Sequence, residues 1–164
     1  MPIPKIELSK NTFVPKRYVP KHLSLKDKKK QRNYLSKSRT LYKHGIYYSR
    51  PKVASYKHIS SPHIRKAMQI YGVENLKPTP ILAKKTGCTL KSLEKIVNKG
   101  RGAYYSSGSR PNQTAESWGI ARLASSVTGG NASLVDYHIL EEGCNPHSKA
   151  LAMARKTRKM RKHK

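Results

Sequence analysis

The tract TPILAKKTGCTLKSLEKIVNKG, residues 79–100, decides the fold of the middle of this chain. Its Thr-Pro start is the signature of a helix N-cap followed by a first helical residue, and Gly87 is typical of a helix end. Thr89 then caps a second helix with an apolar stripe through positions 90, 93, 96 and 97. Ala83 would let the two helices approach closely, so the tract predicts a helix-turn-helix hairpin.

The second helix of this hairpin is expected to direct Lys91, Lys95 and Lys99 outward. In a DNA reader such a helix lies in the major groove and contacts base edges near its start. Lysines suit phosphate contacts better than base discrimination. A hairpin used only for packing explains the pattern equally well, and both interpretations stay open at this point.

Residues that typically begin and end helices predict two more helices beside the hairpin. Ser61 and Pro62 open a helix that runs to Tyr71 and ends at Gly72. Another helix is expected from residue 114 or 115 to 127, although Gly119 weakens it. The stretch ASLVDYHIL, residues 132–140, has a β-like character. We therefore expect a mainly α fold, a small helical domain with one short strand or hairpin at most.

Composition limits the function more than the fold. The 164 residues carry 35 Lys plus Arg against 8 Asp plus Glu, a formal net charge of +27, and only 36% are hydrophobic. A large enzyme-like interior is not expected from so little apolar material. Charge of this sign favours nucleic acid, an anionic membrane surface or acidic proteins as partners. No run approaches the roughly 18 to 20 apolar residues of a membrane span.

Charge and proline divide the chain into three predicted segments. Residues 1–60 are expected to form an extended basic arm rich in Tyr and Pro, because repeated prolines interrupt regular packing. Residues 61–146 form the small helical domain. Residues 147–164 are a basic tail, compatible with a short helix at its start and disordered beyond it without an anionic partner. The candidate binding cations in the two outer segments are Lys28, Lys29, Lys30, Arg32, Arg155, Lys156 and Arg158.

The passage GRGAYYSSGSRPNQT, residues 100–114, is the most unusual in the chain. Its glycines free the backbone to present N–H groups, and Arg101 and Arg110 can fork onto phosphate or carboxylate. Tyr104 and Tyr105 are candidates for stacking on bases. The alternative is a tight polar connector between two helices that contacts neighbouring protein groups. It lacks the order of a phosphate-binding loop or a dinucleotide fingerprint.

Catalytic and metal signals are weak. Eight scattered acids show no general acid and base pair, so we expect no enzyme, no catalytic residue and no cofactor. Cys144 and His147 have a CxxH spacing that gives only two zinc ligands, and we expect no metal. The amino terminus lacks the apolar core of a secretory signal, which favours a reducing compartment. Cys88 and Cys144 are therefore predicted to be free thiols, with a bridge or a metal as the alternatives.

From GRGAYYSSGSRPNQT through the following Trp118-Gly119 and Ala121–Ala124, the chain resembles an uncharacterised domain. Large DNA viruses of algae and amoebae, and some phages, encode that domain. The resemblance begins near Ser61 and covers roughly the middle half of the chain, and no activity comes with it. It implies a viral origin and, for a small basic protein, a role in the virion, which is assembled in the host cytoplasm or nucleus.

These observations together predict a non-enzymatic minor capsid protein of a large DNA virus. Its basic arms would cement the shell by binding acidic surfaces of major and minor capsid proteins within a large assembly. The first alternative is a nucleic-acid-binding protein that condenses or packages the viral genome. The second is a ribosome-like RNA-binding protein, so the candidate partners also include DNA and RNA.

Overall fold

A computed structural model describes residues 13–58 and 60–162. The mainly helical fold class is confirmed, and the described residues form no β-strand. A short 3-10 turn at Lys16–Tyr18 precedes the first helix. The helices are α1 (Leu25–Lys43), α2 (Pro62–Tyr71), α3 (Pro80–Thr86), α4 (Leu90–Ser106), α5 (Ala115–Val127), α6 (Asn131–Val135), α7 (Tyr137–Gly143) and α8 (Lys149–Lys162).

The chain folds as two compact units that differ from the three predicted segments. Among the described residues, unit 1 comprises 13–58 together with 102–115, and unit 2 comprises 60–101 together with 116–162. The GRGAYYSSGSRPNQT passage is thus divided between the units, and most of it belongs with the amino-terminal residues. The predicted tail belongs to unit 2 as far as residue 162.

Helix α1 corrects the expectation of an extended amino-terminal arm. Ser24 is its N-cap and accepts a hydrogen bond from the Asp27 N–H. The buried positions, at helical spacing, are Asp27, Gln31, Leu35, Ser38 and Leu41. Because three of these five side chains are polar, the segment lacks the apolar periodicity by which a helix is normally predicted.

Each buried polar side chain of α1 has a specific partner within unit 1. Asp27 accepts hydrogen bonds from the N–H and hydroxyl of Ser55, at 2.8 and 2.5 Å. Gln31 donates to the Tyr18 carbonyl at 3.2 Å, and Ser38 donates to the Tyr105 carbonyl at 3.1 Å. The helix is therefore held by hydrogen bonds to three other parts of unit 1, which satisfies its buried polar groups.

Asp27 makes unit 1 sensitive to acid. The hydrogen bonds from Ser55 lower the pKa of Asp27 below its ordinary value of 3.8. A lowered pKa stabilises the folded state above pH 3.8, and this contribution is lost as the pH falls through the folded-state pKa. Asp27→Asn should reduce the free energy of unfolding at pH 6, and the difference from wild type should shrink near pH 3. Urea unfolding at both pH values measures the free energies. The exposed control Glu74→Gln should differ from wild type by the same amount at both pH values, and the same constancy for Asp27→Asn would contradict the prediction.

The hairpin in unit 2 follows the predicted punctuation. Thr79 accepts a hydrogen bond from the Leu82 N–H, and Gly87 ends α3 in the left-handed conformation with a φ of 76°. The Thr89 hydroxyl accepts from the Ser92 N–H at 3.2 Å at the start of α4. Leu93, Ile96 and Val97 of the predicted stripe are buried in the core of unit 2, as is Leu82 of α3. Helix α2 also has its predicted bounds and its left-handed Gly72.

Helix α4 extends beyond the predicted apolar stripe, through Gly100, to Ser106. Gly100 lies against Gly119 of α5, because a Cβ on Gly100 would come within 2.5 Å of the Gly119 Cα. Conversely, a Cβ on Gly119 would come within 2.6 Å of the Val97 carbonyl oxygen. The two glycines therefore permit a close approach of α4 and α5, which explains a glycine inside the predicted helix at 115–127.

Residues 132–140 are helical, which corrects the β-like assignment. They form most of α6 and α7, with Asp136 between the two helices. Asp136 is fully buried and accepts two hydrogen bonds from Arg122, at 2.9 and 2.7 Å, and one from Ser126 at 2.9 Å. The buried carboxylate fixes the junction of two short helices, an arrangement that local β-propensity does not predict.

Helix α8 corrects the prediction of a disordered tail over most of its length. Its buried face is formed by Ala150, Leu151 and Ala154, and the Thr157 hydroxyl donates to the Gly129 carbonyl at 2.7 Å. Packing of this face gives the helix the stabilisation that its isolated sequence lacks. The last two residues of the predicted tail lie outside the described residues, as do the first twelve of the predicted arm.

Cys88 and Cys144 form a disulfide, which corrects the prediction of free thiols. The backbone brings them together: the Thr89 N–H donates to the Gly143 carbonyl at 2.8 Å, and the Asn145 N–H donates to the Gly87 carbonyl at 2.7 Å. The two residues are an isolated antiparallel bridge, so their side chains are directly opposite. The expectation came from compartment alone and held no information about this pairing.

The disulfide closes a loop between residues 56 apart in sequence and should stabilise unit 2. Replacing both cysteines with serine is expected to lower the free energy of unfolding by roughly 2–4 kcal/mol. Denaturant unfolding of the variant, and of the wild type with and without a reductant, measures the effect. Wild type under reduction should approach the variant, whereas a reductant that leaves the wild type unchanged would contradict the bridge.

Candidate nucleic-acid interface

The first candidate surface is the exposed side of α4, here named the α4 face and formed by Lys91, Glu94, Lys95, Asn98 and Lys99. These five residues line a shallow cleft of about 470 Å³. Lys91, Lys95 and Lys99 recur every four residues, so they form one row along the helix. The structure thus places the three predicted lysines together and outward, with one carboxylate among them.

Helix α7 covers one flank of the amino-terminal part of α4. Gly143 lies on Ser92: a Cβ on Gly143 would overlap the Ser92 hydroxyl, and Ser92 is buried. Ser92 and Thr89 also hydrogen-bond to each other at 2.7 Å. On this helix the groups left for a polyanion are therefore mainly ammonium groups, which bind phosphate as point charges.

The second candidate surface is the α8 stripe, defined as Arg155, Lys156, Lys159 and Lys162, which are all exposed. Two other cations of α8 are engaged within unit 2. The Arg158 guanidinium lies over the Tyr137 ring at 4.4 Å, and Arg161 donates to the Asn131 side chain. Of the predicted tail residues, Arg155 and Lys156 are thus on the stripe and Arg158 is beside it. The Arg155 guanidinium also donates to the Pro146 carbonyl at 2.8 Å.

The predicted basic run of the amino-terminal segment lies on α1 in unit 1. Lys29, Lys30 and Arg32 are exposed, and Lys28 is half-buried. The described part of unit 1 holds fifteen Lys or Arg and a single acid, the buried Asp27. The exposed charged side chains of this part of the chain are therefore all cationic.

Arg101 binds a carboxylate, one of the two kinds of anion that its guanidinium fork was predicted to take. Its guanidinium donates two hydrogen bonds to Glu116, at 2.8 and 2.5 Å, and one to Asn98 at 2.6 Å. The pair is exposed and contributes little to stability, but it occupies the fork that would bind phosphate. Arg110 is exposed in unit 1 and stays a candidate.

The two tyrosines of the GRGAYYSSGSRPNQT passage have different environments. Tyr104 is 1% exposed, so it cannot stack on a base, which corrects that expectation. Its hydroxyl accepts a hydrogen bond from the backbone N–H of Arg50 at 3.0 Å. Tyr105 is half-buried, edge-on to Tyr104, with its ring centroid 5.1 Å from that of Tyr47. The passage is chiefly an internal scaffold of unit 1.

Arg50 is the residue that this scaffold surrounds, and sequence analysis missed it. Its guanidinium lies 3.8 Å from the centroid of the Tyr104 ring. It donates to the Ser38 hydroxyl at 3.0 Å, to the Tyr104 carbonyl at 2.6 Å and to the Ser109 hydroxyl at 2.6 Å. Burial lowers the pKa of Arg50 from its ordinary value. No carboxylate is among these partners, so carbonyl, hydroxyl and ring dipoles alone stabilise the cation.

Asn112 fixes the chain beside Arg50. It has a φ of 61°, a left-handed conformation that asparagine tolerates better than most residues. Its side-chain carbonyl accepts the Val53 N–H at 2.7 Å, and its amide donates to the Val53 carbonyl at 3.1 Å. The amide thereby replaces a backbone partner for Val53. A buried arginine and a paired backbone have no signature in sequence, since Arg50 is one of 35 cations.

Arg50→Lys should destabilise unit 1 although it keeps the charge. A lysine cannot reproduce the planar fork, so at least one of the three acceptors is left without its donor. We expect the free energy of unfolding to fall by about 2–4 kcal/mol. Arg32→Lys on the exposed side of α1 is the matched control and should change it by less than about 0.5 kcal/mol. Equal effects in denaturant unfolding would contradict the buried role of Arg50.

Metal ligands and membrane spans are two further candidate features in the part of the chain that the structure describes. No three His, Cys, Asp or Glu residues there are grouped closely enough to hold a metal ion. Cys144, one member of the CxxH pair, is bonded to Cys88. None of the described helices combines the length and apolar character needed to cross a bilayer.

Residues 15–139 match the model of a family of unknown function, DUF5824. The chain belongs to this family. The DUF5824 match starts well before Ser61, so it includes α1, Arg50 and the described part of unit 1 from residue 15 onward, as well as the hairpin. Comparison with curated proteins and with solved structures gives no significant match.

Proposed function

We propose that this protein is a non-enzymatic nucleic-acid-binding protein that holds duplex DNA through its phosphates with little sequence preference. In this proposal it condenses or packages the genome of a large DNA virus and resides in the virion. The observation that carries the proposal is the pair of ordered cationic surfaces on unit 2, the α4 face and the α8 stripe.

Too few acids are present to neutralise these surfaces from within. The described part of unit 2 contains seventeen Lys or Arg and six acids. One of the six, Asp136, is buried against Arg122, and another, Glu116, is paired with Arg101. These are the two ion pairs between described residues. The remaining cations have no carboxylate partner among the described residues, and an external polyanion that binds them would release condensed counterions.

The dimensions of both surfaces suit phosphate contacts. A helix rises 1.5 Å per residue, so the row from Lys91 to Lys99 is about 12 Å long and the span from Arg155 to Lys162 about 10 Å. Each is long enough to contact more than one phosphate of a strand, because phosphates repeat about every 3.4 Å along the axis. Packing already orders both helices, so the backbone loses little entropy on binding.

The chemistry of the α4 face argues for low sequence preference. Lysine ammonium groups bind phosphate oxygens without information about the base. Arg101, which a base reader would use in a bidentate contact with guanine, is paired with Glu116 instead. The helix-turn-helix hairpin thus supports a cationic surface rather than a reader of specific bases.

A minor capsid protein that cements the shell through acidic protein surfaces stays the second candidate, and the charge supports it too. The cementing role requires an extended arm that becomes ordered on neighbouring subunits. Residues 25–43 of the predicted arm instead form α1 and hydrogen-bond within unit 1, so they support the cementing role less well than an extended arm would. The ribosome-like alternative depends on long irregular extensions in the same way.

Three double variants test the interface with duplex DNA. Lys91→Ala with Lys95→Ala removes part of the α4 face, and Lys156→Ala with Lys159→Ala removes part of the α8 stripe. The matched control, Lys77→Ala with Lys84→Ala, removes two exposed cations outside both surfaces. At about 0.1 M salt each lost phosphate contact should weaken binding roughly tenfold and reduce the salt slope by about 0.9. Fluorescence anisotropy over a salt series measures both quantities.

A gain-of-binding variant sharpens this test. Glu94→Gln removes the only carboxylate of the α4 face and should strengthen duplex binding several-fold, whereas Glu74→Gln should not. Equal losses from all three double variants would contradict a defined interface. If the same variants weakened binding to polyglutamate as much as binding to DNA, the acidic-protein partner of the capsid role would be favoured instead.

A further inference from the structure

Unit 1 contains a separate cleft of about 570 Å³ that the proposed duplex interface does not use. It is lined by apolar and aromatic side chains, two cations and four hydroxyl-bearing residues: Phe13, Pro15, Tyr18, Arg39, Lys43, Ser36, Thr40, Ser106 and Ser107. No carboxylate lines it. Cations, hydroxyls and an aromatic ring in one concave site are the groups that bind a nucleotide.

Phe13 is the unusual member of this cleft, because its side chain is 81% exposed at the rim. Its backbone is nevertheless held: the Arg39 guanidinium donates to the Phe13 carbonyl at 2.6 Å and, through Nε, to the Ser107 carbonyl at 2.8 Å. Burial of Arg39 lowers the pKa of its guanidinium. An exposed aromatic ring on a backbone held in this way offers a flat surface for a base.

The floor of the cleft is rigid. Tyr18 is buried against Gly108, where a Cβ would come within 2.7 Å of the Leu35 side chain and 3.3 Å of the Tyr18 ring. Gly108 has a φ of 118°, which an L side chain rarely adopts. The glycine therefore lets Tyr18 and α1 pack closely under the site.

We propose that this cleft binds a nucleotide unit, with the base on Phe13 and the phosphate at Lys43. The hydroxyl of Thr40, three residues before Lys43 on α1, would contact the same phosphate as Lys43. Because a base is accessible for stacking only when it is unpaired, the site takes single-stranded nucleic acid or a free nucleotide, which present the same chemistry. This inference goes beyond duplex binding and involves residues of the other unit.

The test is binding of oligothymidylate by the full chain, with one variant for each half of the site. Phe13→Ala should weaken binding about tenfold, as expected for the loss of one stacked base. The matched control is Leu25→Ala, an apolar residue of the same unit that is 84% exposed and lies outside the cleft. Lys43→Ala should weaken binding and reduce the salt slope by about 0.7, the single-strand value per phosphate.

Salt separates stacking from charge in this experiment. The factor lost in Phe13→Ala should persist as salt rises, whereas the factor lost in Lys43→Ala should shrink. Lys29→Ala, an exposed cation of α1 outside the cleft, should weaken binding less than Lys43→Ala. Both Phe13 and Lys43 are exposed, so neither variant should alter the unfolding transition, which a thermal melt checks.

Thymidine monophosphate as a competitor distinguishes the two sources of the ligand. If millimolar mononucleotide displaces oligothymidylate, the site binds the free nucleotide. If it does not, and Phe13→Ala still weakens oligothymidylate binding, the site binds a strand. Equal effects of Phe13→Ala and Leu25→Ala on oligothymidylate binding would overturn the proposal. So would a Phe13→Ala variant whose affinity for polyglutamate falls by the same factor as its affinity for oligothymidylate. The duplex measurements on the α4 and α8 variants are independent, so failure of either proposal is recognised separately.

Discussion

The shortage of carboxylates constrains this structure more than any other feature. Its described residues hold thirty-two Lys or Arg and seven acids, and two of those acids, Asp27 and Asp136, are buried. Asp136 pairs with Arg122 at the α6–α7 junction, whereas Asp27 accepts hydrogen bonds from the backbone N–H and the hydroxyl of Ser55. When a cation is buried in unit 1, as Arg50 is, the fold provides carbonyls, hydroxyls and a ring instead of an ion pair. Such a site needs exact placement of neutral dipoles, because a misplaced one leaves the charge without compensation.

Because carboxylates are scarce, the cationic helices are stabilised by packing and by neutral hydrogen-bond partners rather than by ion pairs. Helix α8 has seven cations and no acid, yet it is ordered because Ala150, Leu151 and Ala154 pack into unit 2. The buried face of helix α1 is mixed: besides Leu35 and Leu41 it carries three polar side chains, which are held by directional hydrogen bonds. Directional hydrogen bonds specify one geometry but add little net stability each. Unit 1 is therefore the part of the chain whose fold depends most on particular residues rather than on the amount of buried apolar surface.

The difference between the two units also explains which parts of the fold were predictable. The Ser61-Pro62 and Thr79-Pro80 starts and the terminal Gly72 and Gly87 act locally, and the bounds of α2 and α3 follow from them. The extension of α4 through Gly100 depends on Gly119, nineteen residues away, and α1 depends on Ser55 and Tyr105. Lys91, Lys95 and Lys99 were placed correctly by helical periodicity. Arg50 and the cleft beside Phe13 were missed because contacts distant in sequence create them.

The two kinds of surface imply different tasks. Lysine rows on α4 and α8 act through charge, which attracts any phosphate backbone and weakens steeply as salt rises. The cleft of unit 1 adds an aromatic ring, and stacking distinguishes an unpaired base from a paired one while tolerating every base type. A chain that combined the two would bind duplex and single strand by different residues and with different salt dependence. Charge would then account for its affinity for duplex DNA, whereas stacking on Phe13 would add to its affinity for a single strand and so account for a preference between the two forms of nucleic acid.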